Sequence, residues 1–269
     1  MSGKALLAAS VFLVAASPAL AAEDSEALAA QLANPLAKLI SIPIQGNYNS
    51  GYGPEEDGEQ VLVNVQPVIP FSVNDDWNII SRTIVPVTWQ TDMLPKAGTQ
   101  FGLGNTTQSF FLSPARTVNG ITWGVGPVLY VPTATDDLLG PDTFGAGPTG
   151  VALWQGKGWT AGVLANQIWS VAGDKDEEIN ASYLQPFLSY TTPDAWTFTL
   201  NTESTYNWND DEWSVPVNFA VAKLVRVGGK LPVSFFGGVR YWAETPKDAG
   251  PEGWGARFGF TVLLPKDKE

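Results

Sequence analysis

The stretch WTFTLNTESTYN sets Trp196, Phe198, Leu200, Thr202, Ser204 and Tyr206 on one side of an extended chain, with Thr197, Thr199, Asn201, Glu203, Thr205 and Asn207 on the other. Successive side chains of a strand point to opposite faces, so this period of two predicts a strand with one greasy and one polar face. The pattern recurs at Trp213, Val215, Val217, Phe219 and Val221, and again at Trp254, Ala256, Phe258, Phe260, Val262 and Leu264. Twelve such segments follow one another: 39–49, 60–71, 77–90, 99–112, 120–131, 144–155, 159–171, 179–190, 196–207, 213–226, 231–244 and 254–264. Soluble strands run to about 5 to 6 residues, whereas a tilted strand crossing an outer membrane takes about 9 to 11. Segment length and even number together predict an all-β fold, a transmembrane antiparallel up-and-down β-barrel of about 12 strands.

A soluble sandwich also alternates, but its outward positions carry Lys and Glu. Here the polar face holds mainly Thr, Ser, Asn, Gln and Gly. The 11 Trp all fall within about four residues of a segment end, where indole rings collect at headgroup depth. Connections alternate between short turns, such as Gly156-Lys157-Gly158, and longer loops. The longer ones and their flanks hold 18 of the 27 acidic residues, which puts the negative charge on one rim. In the hairpin from Gln60 to Gln90, Val61, Val63, Val65, Ile69, Trp77, Ile79, Val85, Val87 and Trp89 are expected toward lipid. Gln60, Asn64, Gln66, Asn78 and Arg82 are expected inward. Pro67, Pro70, Pro86, Pro127, Pro148, Pro186, Pro216 and Pro232 each remove a ladder donor, and bulges are expected there.

Ahead of the barrel, Lys4, the apolar run ALLAASVFLVAA and Ala19-Leu20-Ala21 have the pattern of a cleaved export signal over residues 1–21. A helical segment is expected over 22–38 and the barrel over 39–269. Within DSEALAAQLANPLAKL, Leu28, Leu32, Leu36 and Leu39 recur at helical spacing, with Ser25 or Asp24 as N-cap and an interruption near Pro35.

The chain has no Cys and no His, which removes disulfides, thiolate chemistry, Cys/His zinc sites and imidazole acid/base catalysis. No cofactor or metal is expected, and the chain is read as not an enzyme. A net charge of -12 argues against nucleic acid as a partner. Acidic runs such as DKDEE and NDDE fit either solvated loop tips or divalent cations bridging lipopolysaccharide phosphates. Within the barrel, parity places Arg82, Glu203, Arg240 and Arg257 on the lumen face beside Asn64 and Gln66. Charged lumen side chains set ion selectivity or orient a solute; they equally brace an interior as a structural ion pair.

The segments LANPLAKLISIPIQGNYN, QPVIPF, SRTIVPV, FGLGNTTQSFFLSP, WGVGPVLYVPTATDDLLG, GPTGVAL, NQIWSVAGD and LQPFLSY give the chain a resemblance to the bacterial outer-membrane transporter-like family. That family is often labelled neuromedin U and is similar to outer-membrane proteins of the MetA-pathway of phenol degradation. The resemblance implies a Gram-negative outer-membrane barrel, with aromatic or hydrophobic compounds as its class of cargo. The chain departs from the usual barrel ending in VLLPKDKE, its last aromatic being Phe260. The reading that follows is a monomeric outer-membrane channel or transporter for small molecules. Its partners are outer-membrane lipid, lipopolysaccharide and the barrel insertion machinery. The alternative is a non-transporting envelope scaffold, or a barrel that displays its loops to a binding partner.

Overall fold

The computed structural model describes residues 18–173 and 178–264. Residues 1–17 of the expected leader, Asp174, Asp176 and Glu177 of the acidic rim, and the tail from Pro265 lie outside the described residues. After a helix, α1 (Pro18–Leu32), come β1 (Ile40–Tyr52), β2 (Gly58–Val65), β3 (Val68–Ser72), β4 (Trp77–Thr91), β5 (Thr99–Leu103), β6 (Thr106–Pro114), β7 (Ile121–Val131) and β8 (Thr143–Gly156). Then follow β9 (Trp159–Gly173), β10 (Asn180–Thr191), β11 (Trp196–Thr202), β12 (Ser204–Asn207), β13 (Glu212–Val227), β14 (Leu231–Glu244) and β15 (Trp254–Leu264). Three pairs, β2 with β3, β5 with β6 and β11 with β12, are halves of single staves, so the fifteen strands make twelve staves. Neighbours pair antiparallel all the way round, and β1 closes on β15 from Ile40↔Leu264 to Tyr48↔Ala256. Closure matters because an open edge would leave backbone groups without partners in hydrocarbon.

The alternation decides which face is which. Phe198, Leu200, Phe219, Phe235, Val239 and Phe258 are exposed on the outer wall. Such a belt in water would be a large apolar liability; against lipid it is the expected solvent-facing surface. Trp77, Trp123, Trp154, Trp159 and Trp196 ring the end with the short turns, and Trp89, Trp169, Trp208, Trp213 and Trp254 ring the other. Aromatic pairs tie staves together in these girdles: Tyr241–Trp254 at 5.0 Å joins neighbours, and the edge-on Trp77–Trp123 pair at 6.0 Å reaches across the intervening β6. Trp242 corrects the expectation that all the Trp residues form girdles. It shares parity with Arg240, turns inward and donates from Nε1 to Asn49 Oδ1 at 3.1 Å.

The short turns have local causes. Asn74 Oδ1 accepts from the N–H groups of Asp76 and Trp77, both at 2.9 Å, which holds the reversal between β3 and β4. At the β8–β9 hairpin Lys157 and Gly158 both have positive φ, 52° and 80°, matching the twist of a two-residue turn.

The prolines correct the expectation of a bulge at each one. Register shifts occur at Val215/Pro216, and opposite Pro86 where β5 gives way to β6, and Pro67 interrupts its stave without a shift. Pro70, Pro127, Pro148, Pro186 and Pro232 shift no register, although pairing lapses on one side of Pro127, Pro148 and Pro186. The ladder on the other side, and the pairs before and after each gap, hold the register when one donor is missing, so proline alone does not force an extra residue.

The helix also differs from expectation. It begins at Pro18, so Asp24 and Ser25 lie inside it and neither is its N-cap. It ends at Leu32, short of Pro35, whose ring disfavours helical backbone at Asn34. The segment then turns into the end of the barrel that carries the short turns. There Leu36 packs with Ile80, Phe111, Val151, Leu153 and Leu164, while Ala29 and Leu39 pack with Ala195, Leu224 and Leu263. The lumen is therefore apolar at this end, where a mainly polar inner face was expected.

Candidate functional site: the barrel lumen

Glu203 stands opposite Pro216 in the β11–β13 register, set by Thr202↔Val217 and Thr205↔Ser214 across the β11/β12 junction. Its carboxylate is held by two arginines. Arg257 reaches it with both terminal nitrogens, Nη1 to Oε1 at 2.9 Å and Nη2 to Oε2 at 2.5 Å, and Arg240 Nη2 reaches Oε2 at 2.6 Å. Both arginines are about 5% exposed. Each is steered by a cross-strand asparagine: Arg240 Nε donates to Asn218 Oδ1 at 2.7 Å, and Arg257 Nε to Asn47 Oδ1 at 2.9 Å. Asn218 donates in turn to Asn201 Oδ1 at 2.9 Å. The forked Arg257 contact is the strong, directional kind of charge-assisted bond. The polar row fixes the guanidinium planes that make it possible.

Arg82 is placed differently. Its Nη2 donates to Gln66 Oε1 at 3.1 Å, and among the described residues no carboxylate comes within ion-pair distance. Gln66 is buried and Arg82 is partly exposed to the lumen. Asn64 lines the same chamber, two positions from Gln66 on β2's stave. The three arginines and Glu203 leave this stretch of lumen with two positive charges in excess.

Two chambers adjoin Arg82. The outer one, about 430 Å³, has Glu203, Arg240 and Trp242 in its wall, and Leu62, Ile84, Tyr130, Ile168 and Tyr183 supply apolar and aromatic surface. The inner one, about 260 Å³, lies under the N-terminal segment between Gln31 and Leu39. Arg82 and Gln66 line both. The inner mouth is stoppered by Leu36 and by Asn34, whose Nδ2 donates to Gln155 Oε1 at 3.0 Å; Gln155 Nε2 donates to Ala30 O at 2.9 Å.

The outer mouth is narrowed by the loop between β7 and β8. Asn105 accepts from the N–H groups of Thr133 and Ala134, both at 2.9 Å, and donates to Pro141 O at 2.7 Å. Gln90, on the lumen face of β4, donates to Leu138 O at 3.0 Å. Gly102 leaves the room that this loop fills, since a Cβ there would sit 2.0 Å from Thr135 Oγ1. Beyond it, Asp137, Glu178, Asp210 and Glu212 border an outer vestibule of about 740 Å³.

Sequence parity carried the signal for the lumen positions of Tyr183 and Trp242. The loop latch at Asn105 and the stopper at Leu36 left no such mark, because both depend on which distant strands close the ring.

A scan against family models found no match, and neither did a search of curated proteins. Among solved structures the chain is similar to the COG4313 outer membrane channel from Pseudomonas putida F1, with a TM-score of 0.65 and 12% identity over 84% of this chain and 96% of that one. It is similar to the NanC porin, with a TM-score of 0.51 and 11% identity over 83% and 100%. It is also similar to outer membrane phospholipase A from Escherichia coli, with a TM-score of 0.50 and 12% identity over 88% and 98%. The last similarity corrects the expectation, drawn from the absence of His, that the chain is not an enzyme. A barrel of this fold carries a phospholipase, so the architecture gives no ground for excluding catalysis: reactive groups belong to individual wall positions that the ring of staves does not dictate. What these neighbours share with the chain is the fold, a closed barrel of the kind found in outer-membrane channels and porins.

Proposed function

We propose that this chain is an outer-membrane channel for small molecules, exported by a cleaved leader over residues 1–21, monomeric, and in contact with outer-membrane lipid and lipopolysaccharide. The observation that carries the reading is the pair of chambers in series inside a closed, lipid-faced wall, adjoining at Arg82. A barrel whose only role were mechanical would gain from filling that space with side chains, as eight-strand barrels do. Instead the wall keeps polar and charged groups turned into open volume, the arrangement by which pores select solutes. Aromatic or hydrophobic compounds are the cargo class suggested by the family resemblance.

A second reading has its own support. The Leu36 stopper and the latched loop narrow both mouths, which favours a non-transporting scaffold or a barrel that displays its loops to a partner. Conductance separates the two. Purified protein in a planar bilayer gives discrete current steps under the channel reading. Silence, together with unchanged solute uptake in a deletion strain, sinks it in favour of the scaffold.

A further inference from the structure

We propose that the outer chamber is a binding site for small organic monoanions with an apolar body, a carboxylate being held by Arg82. The inference rests on the channel reading and names its class of solute. Of the lumen cations, Arg240 and Arg257 already share the Glu203 carboxylate and are nearly buried. Arg82 is not so engaged. A guanidinium carries five N–H donors in a planar fork, and here Gln66 takes up one at 3.1 Å. Arg82 lines the open volume of both chambers. A planar carboxylate is the acceptor that matches such a fork with two parallel bonds.

The rest of the chamber selects what hangs from that carboxylate. Leu62, Ile84, Ile168 and the rings of Tyr130 and Tyr183 face the same 430 Å³, a volume at the low end of small-molecule sites. An inorganic anion would leave that surface wet, and a neutral apolar molecule would leave the guanidinium without an acceptor. An amphipathic anion meets both. Because Arg82 and Gln66 line both chambers, the carboxylate can stay on the same guanidinium as the solute shifts from the outer chamber toward the inner one. The acidic vestibule opposes anion entry, but Asp137, Glu178 and Asp210 are exposed and Glu212 partly so, and such charges are screened over roughly 8 Å at physiological salt. They act on arrival and leave affinity inside the wall to Arg82.

The test uses the full chain in detergent, with benzoate and benzamide as probes of matched shape, titrated by calorimetry against a protein-free detergent blank. Benzoate is expected to bind at least tenfold more tightly than benzamide, a comparison that needs no variant. In Arg82→Gln the benzoate affinity is expected to fall at least tenfold while benzamide is unchanged, and Arg82→Lys should restore part of the loss. Equal affinity for the two probes, benzoate affinity unaltered in R82Q, or inorganic phosphate competing as well as hexanoate would each overturn the assignment. Bilayer conductance keeps the two claims apart: a silent protein that discriminates benzoate upholds the site and sinks the channel, whereas a conducting one that does not discriminate sinks the site alone.

Discussion

Arg257 and Glu203, 54 positions apart in the chain, meet through two parallel bonds of 2.9 and 2.5 Å across the barrel lumen. Arg240 joins the same carboxylate from a neighbouring stave. One acid thus bridges two nearly buried cations that the fold holds close together, offsetting one of their two charges. Removing it should do more than delete a bond, since breaking a buried pair leaves the partner's charge uncompensated, at a cost of about 3–5 kcal/mol. Glu203→Gln is expected to lower the unfolding free energy of the barrel, read from a urea titration, by an amount in that range. It should also raise anion over cation permeability, because the local excess of two positive charges becomes three. A variant as stable as the parent would show that water already screens the cluster.

Opposite charge changes at the same cluster should move selectivity the other way. Arg240→Ala combined with Arg257→Ala turns the excess from two positive to none, leaving Arg82 against Glu203. The single-channel reversal potential in a salt gradient is expected to shift toward cations. An unchanged reversal potential would mean that permeating ions do not sense the cluster, and that it serves only to brace the wall.

The inner stopper gives a prediction with a larger readout. Leu36 is seated among Ile80, Phe111, Val151, Leu153 and Leu164, and truncating a buried leucine costs about 2–5 kcal/mol. The Asn34–Gln155 bond adds about 1 kcal/mol. Leu36→Asp puts a carboxylate into that apolar nest and should release the segment while leaving the wall intact. The expected result is a severalfold larger unitary conductance with unchanged heat-modifiable mobility on gels. An unaltered step size would show that ions bypass the segment.

The staves were legible in the sequence because the membrane imposes a period of two along each of them. Phe198, Leu200 and Phe219 alternate with Thr199, Asn201 and Asn218, and segment boundaries such as 254–264 coincide with the observed strand. Parity fixes a face, and for that reason it also located Arg82, Glu203, Arg240 and Arg257 on the lumen side of their strands. It does not fix a partner. That Arg257 reaches Glu203, while Arg82 reaches Gln66, depends on the circumferential stagger of the closed ring, which no single segment encodes. Nor does parity foresee what covers an apolar inward position. Ile80 shares the parity of Asn78 and Arg82, and it and Phe111 pack with Val151, Leu153 and Leu164 and with Leu36, from a segment 44 and 75 positions away.

The last prediction concerns the wall itself. On β8, a Cβ added to Gly147 would lie 1.8 Å from Gln167 O on β9, too close for any real contact. Pairing in the β8–β9 ladder lapses between Ala146↔Trp169 and Thr149↔Asn166, at Gly147 and Pro148. Glycine is used there for close backbone approach. Gly147→Ala should force the strands apart, at a cost of about 1–3 kcal/mol by analogy with overpacked cores. Gly237→Ala supplies the control, because a Cβ there meets nothing within 4 Å, and its effect should stay within about 0.5 kcal/mol. Folding of both variants into lipid vesicles, followed across a urea series by heat-modifiable gel mobility, is expected to separate them clearly. Equal midpoints would mean that the β8–β9 seam is wide enough to take a methyl group, and that the glycine serves the turn of the strand instead of its packing.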